Sequence, residues 1–308
     1  MALISVVIPV YNAARFVQSA IGSVLAQSFR DFELIAVDDG STDSSKALLD
    51  ALAATDPRIR VISRPNTGIV GALNDGLAAA TGEFIARMDA DDIALPTRFE
   101  TQLAYLRAHP GCVALGTDIL YTDPEGDPLT RHRPALTHEA IVEQLLVGNG
   151  GALIHPTVIF RRQAVESAGR YRQQYNFIED LDLFLRLSEA GRLANLPDVF
   201  LRYRQHLKSV NRTQGTRDAL RLQIIAPYRE QRNLPVLAPN PIDPHAPQRP
   251  ADWRRHWAFD AARGGFWASA RKNAWLSCLG GPFDRRNWSC LKYTLSSGRT
   301  ALAASPTA

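Results

Sequence analysis

A cluster of acidic residues, Asp89-Ala90-Asp91-Asp92, follows directly on an apolar segment of the chain. Carboxylates this close together repel one another, and removing them from water costs several kcal/mol. A cation would relieve the repulsion, and oxygen ligands at the end of a strand suit Mg²⁺ or Mn²⁺ that bridges to phosphate oxygens. A solvated turn, or a helix N-cap formed by Asp92 or Thr97, is the structural alternative.

A second pair of acids, Asp38 and Asp39, ends another apolar segment and is followed by Gly40-Ser41. Acids at this point of a nucleotide-binding sheet accept hydrogen bonds from ribose hydroxyls or base N–H groups. Capping of the next helix by Ser41 or Asp43 explains the polar residues of the turn, but it does not explain Asp38 and Asp39 together at the end of a strand. Neither G-x-x-x-x-G-K-[ST] nor G-x-G-x-x-G follows the first predicted strand, so a bound diphosphate would have to be held by metal.

Other candidate residues have both a structural and a chemical explanation. The loop Asn66-Thr67-Gly68, with Asn74 after it, fits a capped, closely packed helix as well as a nucleotide contact. Glu179-Asp180 begins an amphipathic helix, where the helix dipole favours acids, and an acid there would also serve as a general base. His155 fits a packed histidine, and His206 fits either a metal or a diphosphate ligand.

The elements between these residues predict how they come together. Apolar and helical periodicities alternate: strands are predicted at 3–10, 32–37, 59–63 and 83–88, and helices at 17–29, 44–54 and 71–80. This alternation predicts an α/β fold with a doubly wound, mostly parallel central sheet flanked by helices. Because ligands bind beyond the carboxyl ends of such strands, Tyr11-Asn12, Asp38-Asp39 and Asp89–Asp91 are expected to meet at one edge.

Beyond residue 95 the pattern is less regular. It predicts helices at 99–106, 138–146 and 181–190, strands at 113–121, 158–161 and 194–204, and a turn-rich loop at 122–134. Six prolines in 231–250 indicate a linker. We therefore expect a domain at 1–230, a linker at 231–250 and a helical extension at 251–308.

Charge and tryptophan distribution set this extension apart. After residue 250 nine Lys/Arg stand against three Asp, a net charge of +6, and all five tryptophans lie there. Trp253, Trp257 and Trp267 suit either a packed core or a pair of helices at the surface of an anionic membrane. Nucleic acid is not an expected partner, because no recognisable binding module accompanies the basic residues.

The number and spacing of the cysteines favour a protein of a reducing compartment. Its 308 residues are 45% hydrophobic and contain no apolar run long enough for a transmembrane helix. The N-terminus reads as a strand rather than a signal peptide. The three separated cysteines, Cys112, Cys278 and Cys290, indicate neither a zinc site nor a disulfide framework. We expect a cytoplasmic protein that contacts the inner face of the membrane through 251–308.

In this order, the segments resemble the family 2 inverting glycosyltransferases of the GT-A fold. The resemblance runs from Ser5 to Asn211 and rests on Ser5–Asn12, Gln27–Phe29 with Phe32–Asp43, Asn66–Gly68, Asp89–Asp92, Glu179-Asp180 and Tyr203–His206. It implies that Asp180 is the catalytic base, that Asp91 and His206 are metal ligands, and that His155 and Glu179 contact the acceptor or the donor sugar. The implied nucleotide-binding residues are Pro9, Val10, Tyr11, Asn12, Asp38, Asp39, Asn66, Gly68, Asn74 and Asp89.

The predicted function is sugar transfer from a nucleotide-sugar donor, UDP-linked, to a glycan or lipid-linked hydroxyl with Mn²⁺ or Mg²⁺, in bacterial surface polysaccharide or lipopolysaccharide assembly. One alternative is a nucleotidyltransferase of similar architecture, which would need a basic, glycine-rich loop where Tyr11-Asn12-Ala13-Ala14 stands. The other is a non-catalytic sugar- or lipid-binding protein, and the intact acids argue against it.

Overall fold

A computed structural model describes residues 2–207, 216–240, 247 and 249–302, excluding the side chains of 216 and 298–302. Packing divides the chain into two units. The first unit comprises residues 1–119, 133–202 and 210–240, and the second unit comprises 120–132, 203–209 and 241–308.

The described residues form strands and helices at these positions. The strands are β1 Ile4–Val10, β2 Phe32–Asp38, β3 Ile59–Ser63, β4 Phe84–Arg87, β5 Ile93–Ala94, β6 Cys112–Thr122, β7 Pro128–Arg131, β8 Ile159–Arg161 and β9 Arg192–Arg204. The α-helices are α1 Val17–Leu25, α2 Ser45–Ala53, α3 Ile69–Ala79, α4 Arg98–Ala108, α5 His138–Leu146, α6 Arg162–Ser167, α7 Glu179–Ala190, α8 Thr216–Glu230, α9 Pro250–Arg263, α10 Trp267–Gly280 and α11 Arg285–Leu302.

Strand β1 lies at the centre of a parallel block. It pairs with β2 and β4, and β2 pairs with β3, all in parallel. Every residue of β1 except Pro9 is buried, as expected of a continuous apolar run in an interior strand. The register places Val10 beside Asp38 and Val7 beside Arg87. The residues that follow β1, β2 and β4 therefore lie at one edge of the sheet, as predicted.

The sheet continues beyond β4 with a change of direction. Its order is β3-β2-β1-β4-β8-β6-β9-β5. Strand β8 is antiparallel to both β4 and β6, and β5 is antiparallel to β9. The predicted α/β class and the parallel arrangement of β1 to β4 are confirmed. The later antiparallel pairs could not be predicted, because apolar periodicity carries no strand direction.

Two local predictions were wrong. The predicted loop 122–134 contains β7, a four-residue strand in which Leu129 is the one fully buried residue and the pattern is correspondingly weak. Asp92 does not begin a helix, since the short strand β5 follows it and α4 starts after Thr97. By contrast, α5 has the predicted limits, and Thr137 caps it by accepting from Ala140 N (3.4 Å).

In the second unit, α9 and α10 pack with β7. Trp257 is completely buried in a small core that includes Leu129, and Trp253 and Trp267 pack against it. Of the two predicted roles for these three tryptophans, core packing is the one observed. No described helix pairs the length with the hydropathy needed to cross a bilayer.

An ion-pair network joins β7's turn to these helices. We call Asp123, Glu125 and Asp127 the turn cluster. Lys272 of α10 contacts all three of its acids, with Nζ 2.5 Å from Asp127. Arg254 of α9 donates to both oxygens of Glu125, at 2.7 and 2.9 Å. These bonds fasten the β6–β7 turn to α9 and α10 within the second unit.

Candidate active site

The loop after β1 is tied to the loop after β2 through Asn12. Its φ of 50° is a left-handed conformation that Asn adopts more readily than most residues. Its Oδ1 accepts from Thr42 N (2.8 Å), and its own backbone N–H donates to Ser41 Oγ (3.0 Å). The predicted nucleotide-binding segment Pro9–Asn12 thus ends in a braced turn, which leaves the Tyr11 ring exposed at the sheet edge.

Asp39 holds the loop that leads into α3. Its two carboxylate oxygens accept from the backbone N–H groups of Thr67 (3.1 Å) and Gly68 (2.9 Å). Gly68 has a φ of 91°, where a side chain would be strained. Asp38 is buried and accepts a backbone N–H of its own turn at 3.2 Å, while Asn66 is exposed. Both acids therefore position backbone, and a nucleotide contact by any of these residues stays a prediction.

Asn74 has a partner within the protein. Its amide donates to the carbonyl of Tyr171 (2.9 Å) and accepts from that residue's N–H (3.2 Å). The Tyr171 hydroxyl lies 2.7 Å from Nε2 of His155. Burial, and then the charge of Arg87, hold the pKa of His155 well below its usual value, so the imidazole is neutral. His155 is thus a packed histidine in this structure, and its contact with a sugar stays a prediction.

The acids after β4 are close enough to share a cation. Asp89, Asp91 and Asp92, here called the strand-end cluster, each offer a carboxylate oxygen within 4.8 Å of the others. Asp92 is buried, and the other two are partly exposed. Carboxylate oxygens are the ligands that Mg²⁺ and Mn²⁺ prefer. The donor set therefore fits the predicted divalent metal.

Arg87, the last residue of β4, is a site residue that sequence reasoning missed. Its Nη1 lies 2.6 Å from Asp89 Oδ2, and its side chain is almost completely buried. Burial opposes the charged form, but the neighbouring Asp89 carboxylate raises the pKa of Arg87 above its usual value. Arg87 therefore fixes the orientation of Asp89. An arginine inside the apolar run 84–88 was the available signal.

Glu179 and Asp180 occupy the first turn of α7. Burial, and then the charge of Asp180, raise the pKa of Glu179 to about 7. Burial also raises the pKa of Asp180, against a hydrogen bond from Leu181 N (2.8 Å). Glu179 Oε2 is buried and has no hydrogen-bond partner among the described residues. A Cβ on Gly150 would stand 3.4 Å from the Asp180 carboxylate, so glycine keeps this approach clear.

Two further residues with basic side chains, Arg217 and His206, bear on the candidate site. Arg217 of α8 was also missed; its guanidinium lies 5.4 Å from the centre of the Phe177 ring, and the charges of Glu179 and Asp180 act on it. His206 follows β9 in the second unit. Its role as a metal or diphosphate ligand stays a prediction.

Solved structures share this architecture. The chain superposes on Staphylococcus aureus TarS 1–349 in complex with UDP-GlcNAc with a TM-score of 0.57, at 15% identity, over 97% of this chain and 92% of TarS. It superposes on a mannosyltransferase of Pyrobaculum calidifontis, in complex with GDP-Man and Mn²⁺, with a TM-score of 0.53, at 18% identity, over 98% of this chain and 87% of the other. The fold is that of the GT-A glycosyltransferases.

Sequence comparison identifies the family within this fold. Residues 5–169, more than half of the chain, match Glycosyl transferase family 2. The chain is 35% identical to the amylovoran biosynthesis glycosyltransferase AmsE of Erwinia amylovora, over 69% of this chain and 80% of the relative. It is 32% identical to an uncharacterized glycosyltransferase of Haemophilus influenzae over 66% of each chain. The protein belongs to glycosyl transferase family 2, as its motifs predicted.

Proposed function

We propose that this protein is an inverting glycosyltransferase that moves a sugar from a nucleoside-diphosphate sugar to an acceptor hydroxyl. The observation that carries the proposal is the coupling of two acidic groups through Arg87. This arginine pairs with Asp89 of the strand-end cluster, and its charge also acts on Glu179 and Asp180. The strand-end cluster suits the departing diphosphate, through a bound cation. Glu179 and Asp180 suit the attacking hydroxyl of the acceptor, so the two groups match the two sides of glycosyl transfer.

On the donor side, Asp91 would hold Mn²⁺ or Mg²⁺, which when bound neutralises charge on the departing nucleoside diphosphate, and Asp89 would contact the ribose or the sugar of the donor. Arg87 holds the Asp89 carboxylate through an ion pair of 2.6 Å. The complexes of TarS with UDP-GlcNAc and of the mannosyltransferase with GDP-Man and Mn²⁺ support this assignment. We propose a UDP-linked donor, with the segment 9–12 and the loop 66–68 around the nucleotide.

On the acceptor side, Asp180 accepts the proton of the hydroxyl as its oxygen attacks the anomeric carbon. Attack from the face opposite the diphosphate passes through an oxocarbenium-like state and inverts the configuration, so an α-linked donor gives a β-linked product. Burial raises the pKa of Asp180 and so makes its carboxylate a stronger base than usual. The unsatisfied Oε2 of Glu179 suits a hydrogen bond with a sugar hydroxyl.

The biological setting follows from the relatives and from the cysteines. AmsE is named for amylovoran biosynthesis, and we propose surface polysaccharide or lipopolysaccharide assembly, with a glycan or lipid-linked acceptor. Cys112, Cys278 and Cys290 are all free and buried. Unpaired cysteines fit the reducing cytoplasm, where we place the reaction.

The direct test is a panel of nucleotide sugars incubated with the protein and Mn²⁺ or Mg²⁺, with release of nucleoside diphosphate as the readout. Asp180→Asn is expected to lower the transfer rate by about 10²–10⁴-fold and to leave nucleotide binding intact, because a general base contributes that much to the rate. Glu189→Gln, at the exposed end of the same helix, is the matched control and should keep full activity.

Each alternative predicts a different result. A non-catalytic protein would bind nucleotide sugars without releasing diphosphate, and a nucleotidyltransferase would consume a nucleoside triphosphate. Full turnover by Asp180→Asn would remove Asp180 from the role of base even if the panel identified a donor.

A further inference from the structure

Helix α11 of the second unit buries small residues and exposes large apolar ones. Asn287, Cys290 and Thr294 are buried, whereas Trp288 and Leu295 are exposed. A helix on a water-exposed surface normally turns its apolar stripe inward and its polar residues outward. In α11 the buried face carries polar and small residues, and Trp288 and Leu295 stand on the exposed face among basic side chains.

Helix α10 distributes its side chains in a similar way. It buries Asn273, Ser277 and Cys278 and exposes Trp275 and Leu279, which lie one turn apart on the same side. Small and polar side chains let neighbouring helices approach closely, as helices in lipid do. The two helices thus pack through small residues and leave their bulky apolar side chains outside.

These apolar side chains gather at the corner between α10 and α11. Leu279 is 61% exposed at the end of α10, and Phe283, in the turn, is 99% exposed. Trp288 is 48% exposed, and its indole N–H donates to the carbonyl of Pro282 (2.7 Å), which fixes the ring against the same turn. We call Leu279, Phe283 and Trp288 the apolar corner. Phe283 follows Pro282, the residue that binds the Trp288 indole, and a group of exposed large apolar side chains of this kind suits an interaction surface.

The charge around the apolar corner has one sign. From residue 264 to 302 there are six Lys/Arg and one acid, Asp284. That acid is paired within the unit with Arg249 (2.9 Å) and Arg286 (2.7 Å). Arg285 and Lys292 are exposed and lie three residues before and four after Trp288, on the same helix face.

We propose that the apolar corner docks on an anionic lipid bilayer, with Phe283, Trp288 and Leu279 inserted among the headgroups and Arg285 and Lys292 at the phosphates. Tryptophan beside basic residues on a polar helix is the composition of interfacial binding, and no described helix is able to cross a bilayer. The lipid surface replaces water over the exposed rings, and its negative charge complements the basic side chains. The inference does not depend on the proposed sugar transfer.

The test is co-sedimentation of the full chain with vesicles of phosphatidylglycerol and phosphatidylcholine, compared with phosphatidylcholine alone. The protein is expected to bind the anionic vesicles, and the binding should weaken as the salt concentration rises. Binding should also shift the tryptophan emission to shorter wavelength. Phe283→Asp should lower the partition coefficient about tenfold or more. The double variant Arg285→Gln/Lys292→Gln should lower it about 25-fold, since each basic residue near the surface contributes about fivefold.

The matched control is Val236→Asp. Val236 is an apolar residue of the first unit that is 94% exposed, so this variant introduces the same charge outside the apolar corner and should bind vesicles like the wild type. Phe283 has almost no buried surface, so its replacement should leave the circular dichroism spectrum and diphosphate release unchanged. Absence of vesicle binding, or equal binding by Phe283→Asp, would overturn the proposal. A wild-type dimer that Phe283→Asp dissociates, without vesicle binding, would instead assign the surface to a second copy.

Discussion

The molecule contains two clusters of acids at close spacing, and the protein neutralises them differently. In the turn cluster, Lys272 contacts all three acids and Arg254 binds Glu125 through both oxygens. In the strand-end cluster, three carboxylates face one another within 4.8 Å, and Arg87 pairs with Asp89. The first cluster is part of the packing of its unit. The second is a set of oxygen donors that would fit a divalent cation.

The acids of the two units also differ in pKa. The hydrogen bonds from Arg254, opposed by partial burial, lower the pKa of Glu125 to about 2. Burial and the charge of Asp180 raise the pKa of Glu179 to about 7. Glu125 is thus stabilised as a carboxylate, whereas burial disfavours the charged forms of Glu179 and Asp180. Such perturbed groups concentrate at functional sites, and this contrast separates the two roles.

Of the substitutions that compare the two clusters, Asp91→Ala has the largest expected effect on activity. Loss of a ligand from the strand-end cluster should lower metal-dependent diphosphate release by about a thousandfold, because the charge on the leaving group is no longer neutralised. The measurements are diphosphate release with Mn²⁺ and calorimetric titration of Mn²⁺ with UDP.

Asp127→Ala is the same substitution in the turn cluster. It should keep metal-dependent activity, because Asp127 serves only the packing of the second unit. Equal loss of activity in the two variants would erase the distinction between the clusters. Full activity in Asp91→Ala would remove that residue from the metal site.

A smaller effect is expected of Lys272→Met on the stability of the second unit. Asp123 is fully buried and its ion pair with Lys272 would be lost. The buried carboxylate would keep its hydrogen bond from Asn273 but lose its cation, which costs about 3 kcal/mol. Urea unfolding followed by tryptophan fluorescence measures this, because all five tryptophans lie between residues 253 and 288.

Lys46→Met provides the comparison. Lys46 forms an exposed pair with Asp50 one turn away in α2 (2.6 Å), and exposed pairs of this kind contribute little. Its unfolding curve should coincide with that of the wild type. An unchanged curve for Lys272→Met as well would mean that the turn cluster is as dispensable as a surface ion pair.

The two clusters also show how far the sequence predicts the structure. The acids at residues 89–92 were recognisable because they end an apolar strand and because Asp38-Asp39 and Glu179-Asp180 accompany them in order. Lys272 could not be assigned to Asp123, since about 150 residues separate them and only the fold brings them together. Spacing identifies candidate acids, and tertiary packing decides which of them the protein neutralises.

Within the candidate site the same limit applies. Asp180 was predicted from its motif, whereas Arg87 was missed because one arginine in an apolar strand gives no indication of its partner. The amide of Asn74 binds the backbone of Tyr171, and its predicted contact with a nucleotide stays a prediction. The contact between Asn74 and Tyr171 joins residues 97 apart in sequence, and no local pattern reports it.

The smallest of these effects is the dependence of stability on Glu179. The pKa of this residue is about 7 in the folded protein, against an ordinary value of 4.5. The folded state therefore holds the proton more tightly, and the stability that this provides below pH 4.5 is lost as the pH rises to 7. Glutamine is neutral at every pH. The free energy of unfolding of Glu179→Gln, relative to that of the wild type, should therefore rise by about 2 kcal/mol from pH 5 to pH 8. Urea unfolding followed by circular dichroism at the two pH values measures the gain.

Glu125→Gln tests whether that gain belongs to the candidate site. The pKa of Glu125 is lowered to about 2 by Arg254, so the residue is ionised in the folded and unfolded states at both pH 5 and pH 8. Its replacement should therefore destabilise the protein equally at the two pH values, with the sign opposite to Glu179→Gln. If both variants gave the same pH-independent change, Glu179 would be an ordinary ion-paired acid. A gain confined to Glu179→Gln would show that the fold holds the charged form of this acid at a cost in stability, whereas it stabilises the charged form of Glu125. Such a cost is typical of acids at functional sites.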